Sequence, residues 1–208
     1  MKILAFESSC DETAVAVVED GRKVLSDTIA SQVDIHALYG GVVPEIASRK
    51  HVEVIAALTE QALREAGCTR KDIDAVATTY APGLIGAVLV GLSFAKSMAF
   101  SLGVPLIPVH HIRGHIAANY LAFPDLEPPF LALAISGGNT LIIDVRDYTD
   151  MVILGHCRSR RGQRENGGCV RTVRPGHEWR DQRGRHERDE EDDCSVFLHT
   201  RPSSGRIG

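Results

Sequence analysis

The 208-residue sequence is poor in aromatic side chains, which make up 5% of it, and no apolar run reaches the roughly 20 residues that a membrane-spanning helix needs. The start, Met1 to Glu7, lacks the long apolar region of a signal peptide. Five widely spaced cysteines include no Cys-x-x-Cys pair, so neither a disulfide framework nor a zinc knuckle is indicated. These absences predict a cytoplasmic protein with no membrane association.

Charge divides the sequence into two parts. Residues 1–154 hold 11 basic and 18 acidic side chains, whereas residues 155–208 hold 12 and 9. Hydrophobic residues make up 44% of the chain, enough for a substantial core, but few aliphatic side chains lie in the last 54 residues beside 12 of the 18 arginines. Such a segment buries too little apolar surface to offset the entropy of ordering it. Residues 155–208 are therefore predicted to form a disordered, arginine-rich tail.

Short apolar runs alternate with longer stretches of helical spacing, which predicts an α/β fold. A helix is expected to begin after Pro44 and to stop at Gly67, because proline suits the first helical turn and glycine the left-handed residue that closes a helix. Two further helices are predicted, from Leu84 to Leu102 and from His111 to Leu121. The predicted strands of this region are Ile3–Glu7, Ala14–Val18, Lys23–Ala30, Ala75–Thr79 and Pro105–Val109.

The opening pattern recurs after a stretch with three prolines. Phe130–Ile135 and Leu141–Val145 are apolar runs joined by a polar turn, as the first two strands are, and Met151–Leu154 is the start of a third. Because β-hairpins are common, an unrelated hairpin is one interpretation. The other is an internal repeat, with a first lobe at 1–128 and the start of a second lobe at 129–154.

Each of these repeats carries one polar turn. Ser136, Gly137 and Gly138 would let backbone amides approach a phosphate closely, although such a triplet also suits a plain hairpin. Asp11 and Glu12, in the first turn, are candidates to hold a magnesium ion or to position water. A solvated turn is the other interpretation of this acidic pair.

Two histidines form a candidate metal site. His111 and His115 lie four residues apart on a predicted helix, so their rings project from one face and can share a metal ion. Ile112 follows His111, so the glutamate of the His-Glu-x-x-His metalloproteases is missing. A zinc protease of that type is therefore disfavoured.

Five ordered motifs within residues 1–154 resemble those of one family. They are Glu7-Ser8-Ser9-Cys10-Asp11-Glu12-Thr13, Gly40 to Arg49 with His51, Ala81-Pro82-Gly83-Leu84-Ile85-Gly86, Val109-His110-His111-Ile112-Arg113-Gly114-His115 and Ser136-Gly137-Gly138-Asn139-Thr140. Together they look like the TsaD/Gcp/Kae family, the threonylcarbamoyl transferases of tRNA, once described as O-sialoglycoprotein endopeptidases.

The resemblance implies an actin-like (ASKHA) two-lobed α/β fold, with the first lobe complete and the second truncated. The implied reaction moves a threonylcarbamoyl group from its adenylate to the adenosine beside the tRNA anticodon, with protein partners of the threonylcarbamoylation complex. The implied ligands of iron or zinc are His111 and His115, and the implied catalytic residues are Asp11 and Glu12, near the phosphate end. The implied site for the adenylate, or for ATP, is Ala134, Ile135, Ser136, Gly137 and Gly138.

The sequence departs from the family pattern after about Leu154, where a Gly-Glu-containing segment and an Asp-containing motif with the third metal ligand are expected. A frame change in the coding DNA is one explanation: one codon choice for residues 160–176, read one base later, gives a Gly-Glu-Ala segment. An authentic arginine-rich extension that binds RNA is the other, although its clustered acids, Asp189 to Asp193, oppose it. A transferase that is inactive in this form, a metallopeptidase of the glycoprotease type and a non-catalytic partner-binding module are the functions left open.

Overall fold

The computed structural model describes residues 1–135, 139–158 and 195–200. The chain forms two compact units, Met1–Glu127 and Pro128–Gly208. The assignment of residues 1–128 and 129–154 to two lobes stays a prediction. So does the tail at 155–208, most of which lies outside the described residues.

The first unit is built on a five-stranded sheet. Its strands are β1 (Lys2–Glu7), β2 (Glu12–Glu19), β3 (Lys23–Ser31), β4 (Ala75–Ala81) and β5 (Leu106–His110), in the order β3-β2-β1-β4-β5. The chain first makes an antiparallel meander, β1 to β3, and then adds β4 and β5 parallel to β1. Parallel pairing requires a crossover, and helices supply it. The predicted α/β architecture is confirmed.

Four helices connect these strands: α1 (Val33–Ala37), α2 (Pro44–Glu65), α3 (Ile85–Leu102) and α4 (His111–Ala122), with a short 3-10 helix at Arg70–Asp72. Pro44 opens α2, as predicted, and Gly67 follows its end with φ of 63°. Gly103 closes α3 with φ of 69°. A left-handed residue costs glycine little, so the sequence pattern locates both helix ends.

The core of this unit lies where α2 and α3 pack against the sheet. Because alternate residues of a strand share one face, Leu4 and Phe6 of β1 and Val15 and Val17 of β2 all enter the core and are at most 3% exposed. Phe6 packs edge-on against Phe94 of α3, with ring centroids 5.5 Å apart. Each such side chain contributes about 1.5–3 kcal/mol by leaving water.

By length and composition alone, α3 is long and apolar enough to span a membrane, with a mean hydropathy of 1.7 over its 18 residues. Its contacts are those of a helix packed on a sheet, since it touches β1, β4 and α2. Small side chains make this close approach possible, and Gly91, Ala95 and Ala99 are its buried residues on the sheet side. Since 28% of this helix is buried, packing accounts for part of its apolar composition.

The second unit contains a four-stranded sheet in the described residues: β6 (Phe130–Ile135), β7 (Asn139–Val145), β8 (Met151–Arg158) and β9 (Ser195–Thr200), in the order β8-β7-β6-β9. The meander β6-β7-β8 has the strand order of β1-β2-β3, as an internal repeat would, and the repeat itself stays a prediction. Beside β6, however, β9 pairs antiparallel, whereas β4 pairs parallel with β1. β9 was not predicted, because few aliphatic side chains lie in the part of the sequence around it.

Candidate active site

Three parallel strands of the first unit end at one edge of the sheet, and the candidate site lies there. The register aligns Phe6 of β1 with Thr78 of β4, and Thr79 with Val109 of β5. The next residue after β5 is His111, which begins α4. Because the carboxyl ends of parallel strands share an edge, Glu7, Thr79 and His111 meet although they are far apart in sequence.

The two predicted metal ligands, His111 and His115, lie side by side on the first turns of α4. Their Nε2 atoms are 3.0 Å apart, and their rings stand nearly perpendicular, at 86° with centroids 4.3 Å apart. The helical spacing of four residues produces this arrangement. The structure thus brings the pair together with both Nε2 atoms facing each other.

Glu7, the last residue of β1, stands behind His111. Its Oε2 atom lies 3.2 Å from His111 Nδ1 and accepts a hydrogen bond of 2.5 Å from the Thr79 hydroxyl. Its other oxygen accepts the backbone N–H of Ser9, whose hydroxyl is 3.1 Å from the same Nδ1. Since an ionised carboxylate only accepts hydrogen bonds, Nδ1 of His111 carries the proton and Nε2 is left as the basic nitrogen.

Burial raises the pKa of the Glu7 carboxyl, but hydrogen bonds from His111, Thr79 and Ser9 outweigh burial and lower the pKa from 4.5 to about 2. Glu7 is therefore a carboxylate at any pH near neutrality. It is a poor base, because three donors already occupy it. Its hydrogen bond with Nδ1 fixes the orientation of the His111 ring.

This donor set suits a transition metal. Two imidazole nitrogens at about 2.0–2.1 Å from one tetrahedral ion lie roughly 3.3 Å from each other, close to the Nε2 separation here. Metal-bound histidines commonly donate the other ring N–H to a carboxylate, as His111 does to Glu7. Within the described residues no group of three or more histidine, cysteine, aspartate or glutamate side chains is placed to hold an ion. The assignment of His111 and His115 as metal ligands stays a prediction.

Asp11 and Glu12 lie in the turn between β1 and β2. Glu12 begins β2 and is exposed, whereas Asp11 is half-buried and its carbonyl accepts the backbone N–H of Gln32 at 3.0 Å. In the part of the chain that the structure describes, the carboxylate that contacts His111 is that of Glu7. The catalytic role of Asp11 and Glu12 stays a prediction.

Ala134 and Ile135 end β6, where Ile135 pairs with Thr140 of β7. Ser136, Gly137 and Gly138, the centre of the predicted adenylate site, lie outside the described residues. This site therefore stays a prediction as well.

The sequence did not single out Glu7, Ser9 or Thr79 as site residues. One signal was available: Glu7 is an acidic residue that ends a strand of a predicted α/β sheet, at the edge where ligands bind. The pairing of β1 with β4 and of β4 with β5, which joins these residues to His111, is not visible in a local pattern.

Comparisons with known proteins agree with this architecture. The structure of YeaZ from Pseudomonas aeruginosa is similar, with a TM-score of 0.52 and 20% identity over 76% of this chain and 66% of that chain. The fold is thus α/β and actin-like. The sequence profile described as "TsaD: tRNA N6-adenosine threonylcarbamoyltransferase" matches residues 23–166. The chain belongs to this family.

Two relatives named tRNA N6-adenosine threonylcarbamoyltransferase are closely similar. The protein of Clostridium perfringens strain SM101 is 60% identical over 156 residues, and that of Clostridium novyi is 58% identical over 158 residues. These matches cover 75% and 76% of this chain. The chain spans 46% of the length of each relative. The family match runs to residue 166, beyond the departure expected after Leu154.

Proposed function

We propose that this chain carries part of the active site of a tRNA threonylcarbamoyl transferase, an enzyme that moves threonylcarbamoyl from its adenylate to N6 of the adenosine beside the anticodon. The observation that supports this most is the pair His111 and His115 with the Glu7 carboxylate behind it, at the edge of a parallel sheet where actin-like folds bind ligands. The substrates are the adenylate and tRNA, and the setting is the cytoplasm, with protein partners of the modification complex.

The reaction is an acyl transfer between two bound substrates. The exocyclic amine attacks the carbonyl carbon of the threonylcarbamoyl group, a C–N bond forms, the bond to the phosphate oxygen breaks, and AMP leaves. The amine loses one proton in the process. Asp11 and Glu12, in the turn that follows β1, are the proposed catalytic carboxylates and accept this proton or hold a magnesium ion at the phosphate end.

His111 and His115 would hold one iron or zinc ion, and such an ion would supply Lewis-acid chemistry at the reacting group. Glu7 keeps the proton of His111 on Nδ1, so Nε2 offers its lone pair. Ala134 to Gly138 would hold the nucleotide, and its backbone amides would contact the phosphate. Holding both substrates in a fixed orientation is the main contribution of such a site.

Metal analysis and a transfer assay on the same protein samples test this proposal. Purified chain, stripped with chelator and dialysed against zinc or iron(II), is expected to retain more metal than His111→Ala or His115→Ala does. Glu7→Gln is expected to weaken the affinity about tenfold or more. Arg113→Ala is the matched control, because Arg113 is exposed on the same helix between the two histidines.

The transfer assay uses radiolabelled threonine, carried as threonylcarbamoyl-adenylate, and unmodified tRNA. Label in tRNA that disappears in His111→Ala but persists in Arg113→Ala supports the proposal. Metal-dependent cleavage of a glycoprotein that disappears in His111→Ala would instead show a metallopeptidase. Retained binding of a protein partner with no nucleotide binding would show a non-catalytic module.

A further inference from the structure

A buried histidine outside the metal site holds the turn that carries Asp11 and Glu12. His51, on α2, is fully buried. Its Nε2 atom lies 3.0 Å from the carbonyl oxygen of Cys10, and its Nδ1 atom lies 2.7 Å from the hydroxyl of Thr13. Cys10 and Thr13 flank the acidic pair on either side. One imidazole therefore bridges the two ends of the turn.

The hydrogen-bond directions of this bridge are fixed by the partners. A carbonyl oxygen only accepts, so Nε2 of His51 carries the proton and Nδ1 accepts from the Thr13 hydroxyl. Burial lowers the pKa of His51, although the bond to the Cys10 carbonyl opposes this. The neutral ring that the geometry requires is thus also the form that burial favours.

Gln32 adds a third attachment. Its backbone N–H donates to the carbonyl of Asp11 at 3.0 Å, and its side-chain amide nitrogen lies 3.4 Å from His51 Nδ1. The amide oxygen accepts from Nε2 of His36 at 3.1 Å, and His36 Nδ1 in turn accepts the backbone N–H of Val43. All these directions are mutually consistent. The acidic turn is thereby tied to α1 and to the segment that leads into α2.

We propose that His51, with Thr13 and Gln32, is a positioning residue of the transferase: it fixes the backbone on both sides of Asp11 and Glu12, so that their carboxylates are held in one place for the substrate. The inference rests on the proposed function for its catalytic consequence. The bridge that His51 forms between Cys10 and Thr13 rests on its hydrogen bonds alone. A fixed backbone matters here because Glu12 is exposed and a free turn would let its carboxylate move.

Thr13→Val and Thr59→Val form a matched pair for the test. Both threonines are buried, at 0% and 1% exposed, and both substitutions replace a hydroxyl by a methyl group. The Thr13 hydroxyl bonds to His51, whereas that of Thr59 bonds to Ile55 of its own helix. Thr13→Ser keeps the hydroxyl and serves as the conservative variant.

Amide hydrogen exchange of the turn is measured first, in the whole chain. In Thr13→Val the amides of residues 10–12 are expected to exchange about tenfold faster or more, while those of β4 keep the wild-type rate. In Thr59→Val and Thr13→Ser these turn amides are expected to stay within about twofold of wild type. If Thr13→Val does not fold, His51→Gln replaces it, because a glutamine cannot bridge both Cys10 and Thr13 in the same way.

Transfer kinetics then test the catalytic consequence. Thr13→Val is expected to lower kcat about tenfold or more, with KM for the adenylate within about threefold, because the carboxylates are displaced rather than removed. Thr59→Val is expected to leave both constants unchanged. Equal turn exchange in Thr13→Val and Thr59→Val would overturn the inference. A wild-type chain that binds neither metal nor nucleotide would refute the proposed function, while the exchange result still decides whether His51 bridges the turn.

Discussion

At Glu7 one carboxylate joins three segments of the first unit, since it bonds to Ser9 of its own turn, to Thr79 of β4 and to His111 of α4. These bonds stabilise the ionised form, so the folded state binds a proton at Glu7 less readily than the unfolded chain does. The stabilisation is present in full above the ordinary pKa of 4.5 and is lost as the pH falls toward about 2.

We therefore expect the metal-free wild type to lose more stability between pH 4.5 and 2 than Glu7→Gln does. Thr79→Val keeps the carboxyl but removes one of its donors, so its loss of stability should be smaller than in the wild type and complete at a higher pH. Urea unfolding across this pH range, followed by circular dichroism, measures both differences. Identical pH profiles of wild type and Glu7→Gln would show that the contacts of Glu7 do not stabilise the fold.

Among the elements, α3 and α4 each contain a glycine whose surroundings predict opposite effects of an added methyl group. A Cβ atom at Gly91 of α3 would collide with the side chain of Ser8, whose hydroxyl bonds to Ala87 and accepts the N–H of Gly91. A Cβ atom at Gly114 of α4 would find its nearest neighbour, Val109, at 3.9 Å.

Gly91→Ala is accordingly expected to destabilise the chain by about 1–3 kcal/mol, because the sheet and α3 must separate. Gly114→Ala is expected to stabilise it by about 0.5–1 kcal/mol, because alanine favours the helix. Thermal unfolding of the two variants beside wild type gives the sign of each effect. A stabilised Gly91→Ala variant would contradict the close contact between Ser8 and α3.

The elements that the sequence predicted are those with a periodic pattern of sufficient length. The strands of both meanders and the helices α2, α3 and α4 were predicted within a few residues, because apolar alternation or helical spacing runs through them. α1 was missed, since five residues show no period. Within the site, His111 and His115 were predicted because their contact is local, whereas Glu7 and Thr79 were not, because strand pairing brings them there.

On the scale of the whole molecule, one part of the chain matches its relatives and the rest lies outside the match. Identity of 57–60% extends over 156–158 residues, which leaves about a quarter of this chain outside the match. A change of reading frame in the coding DNA stays one hypothesis for this end of the match, and an authentic arginine-rich extension is the other. One codon choice for residues 160–176, read one base later, gives Gly-Glu-Ala-Ser-Val-Lys-Thr-Ala-Ala-Ala-Tyr-Gly-Leu-Ser-Gly-Leu.

We expect a neighbouring frame of the coding DNA after codon 158 to encode this Gly-Glu-Ala segment and, further on, an aspartate motif with a third metal ligand. The nucleotide sequence from codon 150 onward, translated in all three frames, provides the check. If no frame encodes these segments, residues 155–208 are an authentic part of the protein. The predicted third ligand must then be sought outside this gene.

The long separation between Glu7 and His111, 104 residues, also sets the order of events during folding. His111 and His115 come together as soon as one turn of α4 forms, which is a fast and local step. The carboxylate that selects the tautomer of His111 arrives only when β1, β4 and β5 lie side by side, and such non-local pairing is slow. At the proposed metal site, a nascent or partly folded chain would therefore hold an ion more weakly than the folded chain. Retention at that site would be gained last, once the topology of the first unit is complete.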